Sequence, residues 1–122
     1  MMPYEWFQAW QLCHELTILV YRHTGGFPKS ELYGLTSQAR RAAFSAAANI
    51  AEGSAKRGRA EFRRYLDMSL GSLSELASIL RLARDLDMIT ESQMLELMAL
   101  RDHAGRVTWG LYRSLSDRQR GR

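Results

Sequence analysis

The chain has 122 residues, 46% hydrophobic and 25% charged, with two prolines, one cysteine and a formal net charge of +4 at pH 7. That size and composition suit one folded domain and exclude a disordered or collagen-like chain. They also exclude a pair of ordinary domains, an intramolecular disulfide and a cysteine-based zinc cluster. No apolar run reaches the roughly 20 residues of a membrane span. The opening MMPYEWFQAW lacks the basic, apolar and small-residue order of a secretory signal, so a cytoplasmic protein with no membrane partner is expected. Nearly all the cations are arginines, the side chain that binds phosphate bidentately.

Spacings of three and four recur along the chain and strand-like alternation is absent, which predicts an all-α protein. The first predicted helix, from about Tyr4 to His23, puts Trp6, Trp10, Cys13, Leu16 and Val20 on one stripe, with Phe7, Leu12 and Leu19 beside it. So broad an apolar arc needs neighbours on two sides. Cys13 falls on that stripe, where a lone cysteine serves as a small buried hydrophobe. Gly25, Gly26 and Pro28 then break the pattern.

Thr36 or Ser37 is the expected N-cap of a second helix, and Gly53 its left-handed end. Ala39, Ala43, Ala46, Ala47 and Ile50 line one side of this helix, which would let a neighbouring backbone come close. Gln38, Arg41, Ser45, Asn49 and Glu52 follow a second, polar line at helical spacing. That line is either a solvated face or a hydrogen-bonded seam. The seam would give Arg41 a carboxylate partner such as Glu52, or Glu75 of the third helix.

The third helix, about Ala60 to Leu86, carries Phe62, Leu66, Leu70, Leu73, Leu76 and Leu80 at steps of three and four. Between helices two and three lies a basic corner, Lys56, Arg57, Arg59, Arg63 and Arg64. It reads either as a solvated turn or as a binding site for an anionic partner. Cations at a helix N-terminus oppose the macrodipole by a few tenths of a kcal/mol each, a cost that an anionic partner would offset.

Thr90 and Gln93 form a capping box that opens a fourth helix, through Met94, Leu97, Leu100, Ala104, Val107 and Leu111 to about Leu115. Gly105 and Gly110 inside it point to close backbone approach or to fraying. Trp109 and Tyr112 lie one turn apart off the apolar stripe and are candidates for an oligomer interface or a protein-binding face. Four amphipathic helices with short links predict an antiparallel up-down-up-down bundle over residues 1–116, with 117–122 a polar basic tail.

No catalytic or metal-binding pattern emerges. No Glu is followed three residues later by His, as a di-metal bundle would require. His14, His23 and His103 have no zinc spacing, and no phosphate-cradling loop or activated nucleophile is present. A non-enzyme with no cofactor, metal or small-molecule substrate is expected. RNA-recognition, KH, zinc-finger and helix-turn-helix signatures are also missing, so any nucleic acid would be recognised by phosphate and shape.

The segments YGLTSQARRA (33–42), NIAEG (49–53) and GSLSEL (71–76) resemble the central signature of the four-helix bundle family that includes proteins encoded in intervening sequences of bacterial 23S ribosomal RNA genes. The resemblance runs from about Trp6 to Leu97. It implies a homo-oligomer, a pentamer around a central opening. A more distant similarity, to the basic pentameric accessory protein of diversity-generating retroelements, implies RNA or a reverse transcriptase as partner. The chain departs from the family pattern at Ala47, where relatives often carry proline, and at Gly58, where Ser or Thr usually caps helix three. The first departure predicts a straighter second helix and the second a weaker start to the third.

Overall fold

The computed structural model describes residues 2–120, with side chains through residue 116, and contains α1 (Gln8–Thr24), α2 (Leu35–Ser54), α3 (Arg59–Asp85) and α4 (Glu91–Arg120). Short 3-10 turns, Pro3–Trp6 and Lys29–Glu31, precede α1 and α2. Each helix packs on the next, and α1 also packs on α4, so the four form a closed ring in chain order. Hydrogen bonds across α2 and α3 join Ser72 to Ser45 and Tyr65 to Glu52. Across α3 and α4 they join Arg101 to Leu73 and Arg63 to Ser116. In both pairs of helices the partner number rises as the first falls, which makes the neighbours antiparallel. The fold is the expected all-α, antiparallel four-helix bundle.

The core is built from the predicted stripes. Leu16 and Val20 of α1, Ile50 of α2, Leu66, Leu73, Leu76 and Leu80 of α3 and Leu97 of α4 are fully buried or nearly so. Cys13 is buried among them, and burial pushes its thiol up to about 11, which keeps it neutral and inert. Trp6 does not join this core: it ends the 3-10 turn, out of phase with α1, and is 70% exposed.

Alanines give α2 and α3 their close approach. Ala39, Ala42, Ala43 and Ala46 are buried on α2, and Ser69 Oγ of α3 donates to the Ala46 carbonyl at 2.8 Å. Such a bond to a mid-helix carbonyl requires the two backbones to lie close together. Gly53 serves the same approach and does not end the helix as predicted. It lies inside α2, and a Cβ there would stand 2.5 Å from Tyr65 Cβ and 3.1 Å from Phe62 Cδ1.

The left-handed backbone falls five residues later, at Gly58, with φ 86° and ψ 153°. Only glycine adopts this region readily, which accounts for Gly58 where a capping Ser or Thr was expected. No side chain caps α3. The second helix also starts differently from expectation: Gly34 is the N-cap, Thr36 is buried inside the first turn, and Glu31 Oε1 accepts from the Leu35 amide at 3.0 Å. The Thr90–Gln93 capping box forms as predicted, with reciprocal bonds of 3.0 and 3.1 Å. Helix α4 continues past Leu115 to Arg120, so the predicted tail begins as helix; residues 121–122 of that tail lie outside the described residues.

Replacing Gly53 by Ala should destabilise the chain by about 2 kcal/mol in urea unfolding, because two helices must separate to admit the methyl group. Gly71→Ala, on an exposed helical site with nothing within 4 Å of the new Cβ, should instead stabilise by up to about 1 kcal/mol. Equal effects at both sites would contradict a close α2–α3 contact at Gly53.

Candidate nucleic-acid interface

The turn from Ala55 to Gly58 is short because the tight α2–α3 packing leaves little distance to bridge. It presents Lys56 and Arg57 to solvent and Arg59, partly buried, at the start of α3. Among the described residues none of these three makes an ion pair. Lys56 Nζ lies 5.5 Å above the Tyr65 ring, a contact that leaves its charge unneutralised.

The other two predicted cations behave differently. Arg64 Nε sits 3.1 Å from Glu61 Oε1, and its guanidinium also rests 4.8 Å over Tyr65. Hydrogen bonding and charge from Arg64 hold the Glu61 carboxyl below its ordinary range. Arg63 turns away from the corner onto α4, where Nη1 donates to Ser116 Oγ at 3.3 Å. The five-residue basic cluster therefore divides into three open cations, one paired and one packed between helices.

The polar line of α2 also divides. Ser45 accepts from Ser72 Oγ at 3.0 Å, and Asn49 Nδ2 donates to the Ser45 carbonyl at 2.9 Å. Glu52 Oε1 accepts from the Tyr65 hydroxyl at 3.4 Å. This half is a seam along the α2–α3 boundary. Gln38 and Arg41 are exposed, and Arg41 has no ion pair to Glu52, Glu75 or another acid among the described residues. Glu75 is likewise exposed.

Trp109 and Tyr112 stack at 5.4 Å with an interplanar angle of 9°. Trp109 is 50% exposed and forms a wall of an α3–α4 groove of about 400 Å³, which Gly105 and Leu73 also line. An added Cβ at Gly110 meets nothing within 4 Å, and at Gly105 only Arg101 Nη2 at 3.9 Å, so neither glycine admits another backbone from within the chain.

The α1–α2 face joins Trp10 of the first predicted stripe to aromatic groups that lie on no predicted stripe. Phe44 is 61% exposed and Tyr33 93%. Trp10 stacks on His14 at 4.7 Å and meets the edge of Tyr4 at 4.9 Å. The Arg40 guanidinium lies 4.5 Å over the Tyr21 ring, and its Nε donates to Thr24 Oγ1 at 2.9 Å. The sequence held one signal of this face: Phe44 is the only aromatic in an alanine-rich helix and falls off the alanine stripe.

Among the described residues, no group of three or more His, Cys, Asp or Glu could hold a metal ion, and no helix is long and apolar enough to cross a membrane.

A closed ring of four antiparallel helices with an alanine-rich second helix and a basic turn defines the class of protein. A family model described as 23S rRNA-intervening sequence protein matches residues 5–110, and the chain belongs to that family. A similar solved structure is that of a protein with unknown function from the S23 ribosomal protein family of Bacteroides thetaiotaomicron VPI-5482. It is 19% identical, with a TM-score of 0.76 over 85% of this chain and 97% of that one. At that identity the likeness supports the fold alone. No curated protein matches the chain.

With Arg41 on a solvated part of α2, Arg41→Leu should change unfolding free energy by less than about 0.5 kcal/mol. A loss of several kcal/mol would instead show that Arg41 has a buried partner, as a seam or subunit contact would give it.

Proposed function

We propose that this chain is a non-catalytic, self-associating helical scaffold that binds RNA through the basic turn without reading its sequence. One observation carries the reading. Lys56, Arg57 and Arg59 share one short turn and form no ion pair among the described residues, Lys56 acting on Glu61 only through its field, while the neighbouring Arg64 is paired with Glu61. Charges left open beside the N-terminus of α3 suit phosphate, which gains from both the side chains and the helix dipole.

Self-association has its own support. The half-exposed Trp109, stacked on Tyr112 beside a groove lined by Leu70 and Leu73 and by Arg101, Asp102 and Arg106, is the kind of aromatic anchor that interfaces bury. On the rival reading this face binds another protein and the chain never meets nucleic acid. Trp109→Glu, followed by sedimentation, separates the two: a fall in oligomer mass supports self-association, and an unchanged mass supports another partner.

A titration of structured RNA by fluorescence anisotropy at several salt concentrations tests the binding. Each phosphate contact should lower log K by about 0.7 to 0.9 per decade of salt. The Lys56→Ala, Arg57→Ala, Arg59→Ala variant should therefore flatten the slope by about 2 to 3. An unchanged slope in this variant would refute the basic turn as the contact.

A further inference from the structure

The α1–α2 face lies opposite the α3–α4 face that carries Trp109, because the helices ring the core in chain order. Two hollows run along it and share Phe44 as a common wall. One, of about 570 Å³, is floored by Ala47, Ala48 and Ala51 between the Tyr4–Trp10 edge and Phe44, and ends at Ala55. The other, of about 390 Å³, lies between Tyr21, Tyr33 and the two arginines Arg40 and Arg41. Ala55 leads directly into Lys56 and Arg57. Arg40 and Arg41 thus stand at one end of the strip, and the turn that carries Lys56 and Arg57 follows the other, beyond Ser54, the last residue of α2 and about 21 Å along the helix from Arg40 at 1.5 Å per residue.

We infer that this strip is a track for unpaired RNA, with bases on Phe44 and Tyr33 and phosphates on Arg40, Arg41 and the basic turn. The inference rests on the RNA-binding reading above and names the form of RNA that is bound. Three features support it. Exposed aromatic rings alternating with cations form the sequence-tolerant platform on which single strands bind. Of the residues lining the two hollows, Glu52 is the only acid, so little opposes a phosphate chain. The alanine floor beside Phe44 is flat and apolar, which suits the face of a base more than a phosphate. A duplex offers its phosphates but keeps its bases stacked inside, so it can use the cations and not the rings. A subunit interface would also draw on aromatic rings and arginine; what favours RNA is the charge, two arginines against the single acid Glu52 in the lining, and the oligomer mass of Phe44→Ala separates the two occupants.

The test compares a fluorescein-labelled, unstructured RNA octanucleotide with a fully paired RNA hairpin of the same phosphate count, by anisotropy at low salt. The proteins are the full chain, Phe44→Ala, and the Lys56→Ala, Arg57→Ala, Arg59→Ala variant, each checked by circular dichroism and sedimentation. Phe44 is largely exposed, so its removal should spare the fold. The wild-type chain should prefer the single strand, and Phe44→Ala should weaken that binding about tenfold, the loss of one stacked base, while leaving the hairpin and the salt slope unchanged.

If Phe44→Ala binds the single strand as the wild type does, or weakens both RNAs equally, the track is refuted; loss of binding in the triple variant would still uphold the basic turn. A Phe44→Ala effect with no effect of the triple variant would refute the turn as a phosphate contact and overturn the track as stated, since its phosphates run onto that turn. A fall in oligomer mass in Phe44→Ala would make the face a contact between copies and overturn the proposal. Failure of both RNAs to bind at low salt would overturn both readings.

Discussion

The close approach of α2 and α3 is the constraint on which the rest of the molecule depends. Gly53 leaves no room for a methyl group beside Tyr65 and Phe62, and Ser69 reaches the Ala46 carbonyl across the boundary. Helices that approach this closely can be joined by a very short connection, and the turn from Ala55 to Gly58 must reverse the chain within it. Gly58 makes that reversal with a backbone that other residues resist. The basic residues are fixed to this turn, so the geometry of the candidate contact follows from the small residues Gly53 and Gly58 and not from the charges themselves.

The same use of alanine shapes the outer surface. An alanine-rich helix has little to bury beyond its own backbone, and the part of α2 turned toward α1 leaves a shallow, apolar floor between Phe44 and the Tyr4–Trp10 edge. Larger side chains at Ala47, Ala48 or Ala51 would fill that hollow. The bundle therefore offers two unlike faces: an aromatic and cationic one on α1–α2, and one built around the stacked Trp109 and Tyr112 on α3–α4.

Much of this was legible in the sequence where periodicity governs. The leucines of α3, the Thr90–Gln93 capping box and the alanine stripe of α2 each lie where spacing predicts. Glycine was harder to read, because one residue type answers two demands. Gly53 was expected to supply a left-handed turn and instead supplies absence of a side chain, while Gly58 supplies the turn. Side-chain direction was hidden too. Five cations in one short segment look alike in sequence, yet Arg63 turns onto α4 and Arg64 pairs with Glu61. The α1–α2 face was not legible because its rings come from separate segments: Trp10 reads as part of the α1 stripe, and no helical period links it to Tyr4, Tyr33 and Phe44.

The proposed RNA contact covers the basic turn and the α1–α2 face. Photocrosslinking with an RNA oligonucleotide carrying 4-thiouridine, followed by mass spectrometry of the modified peptides, tests it most directly. The account predicts crosslinks to Tyr33, Phe44 and the turn around Lys56 and Arg57. Crosslinks confined to the α3–α4 face around Trp109 would contradict it.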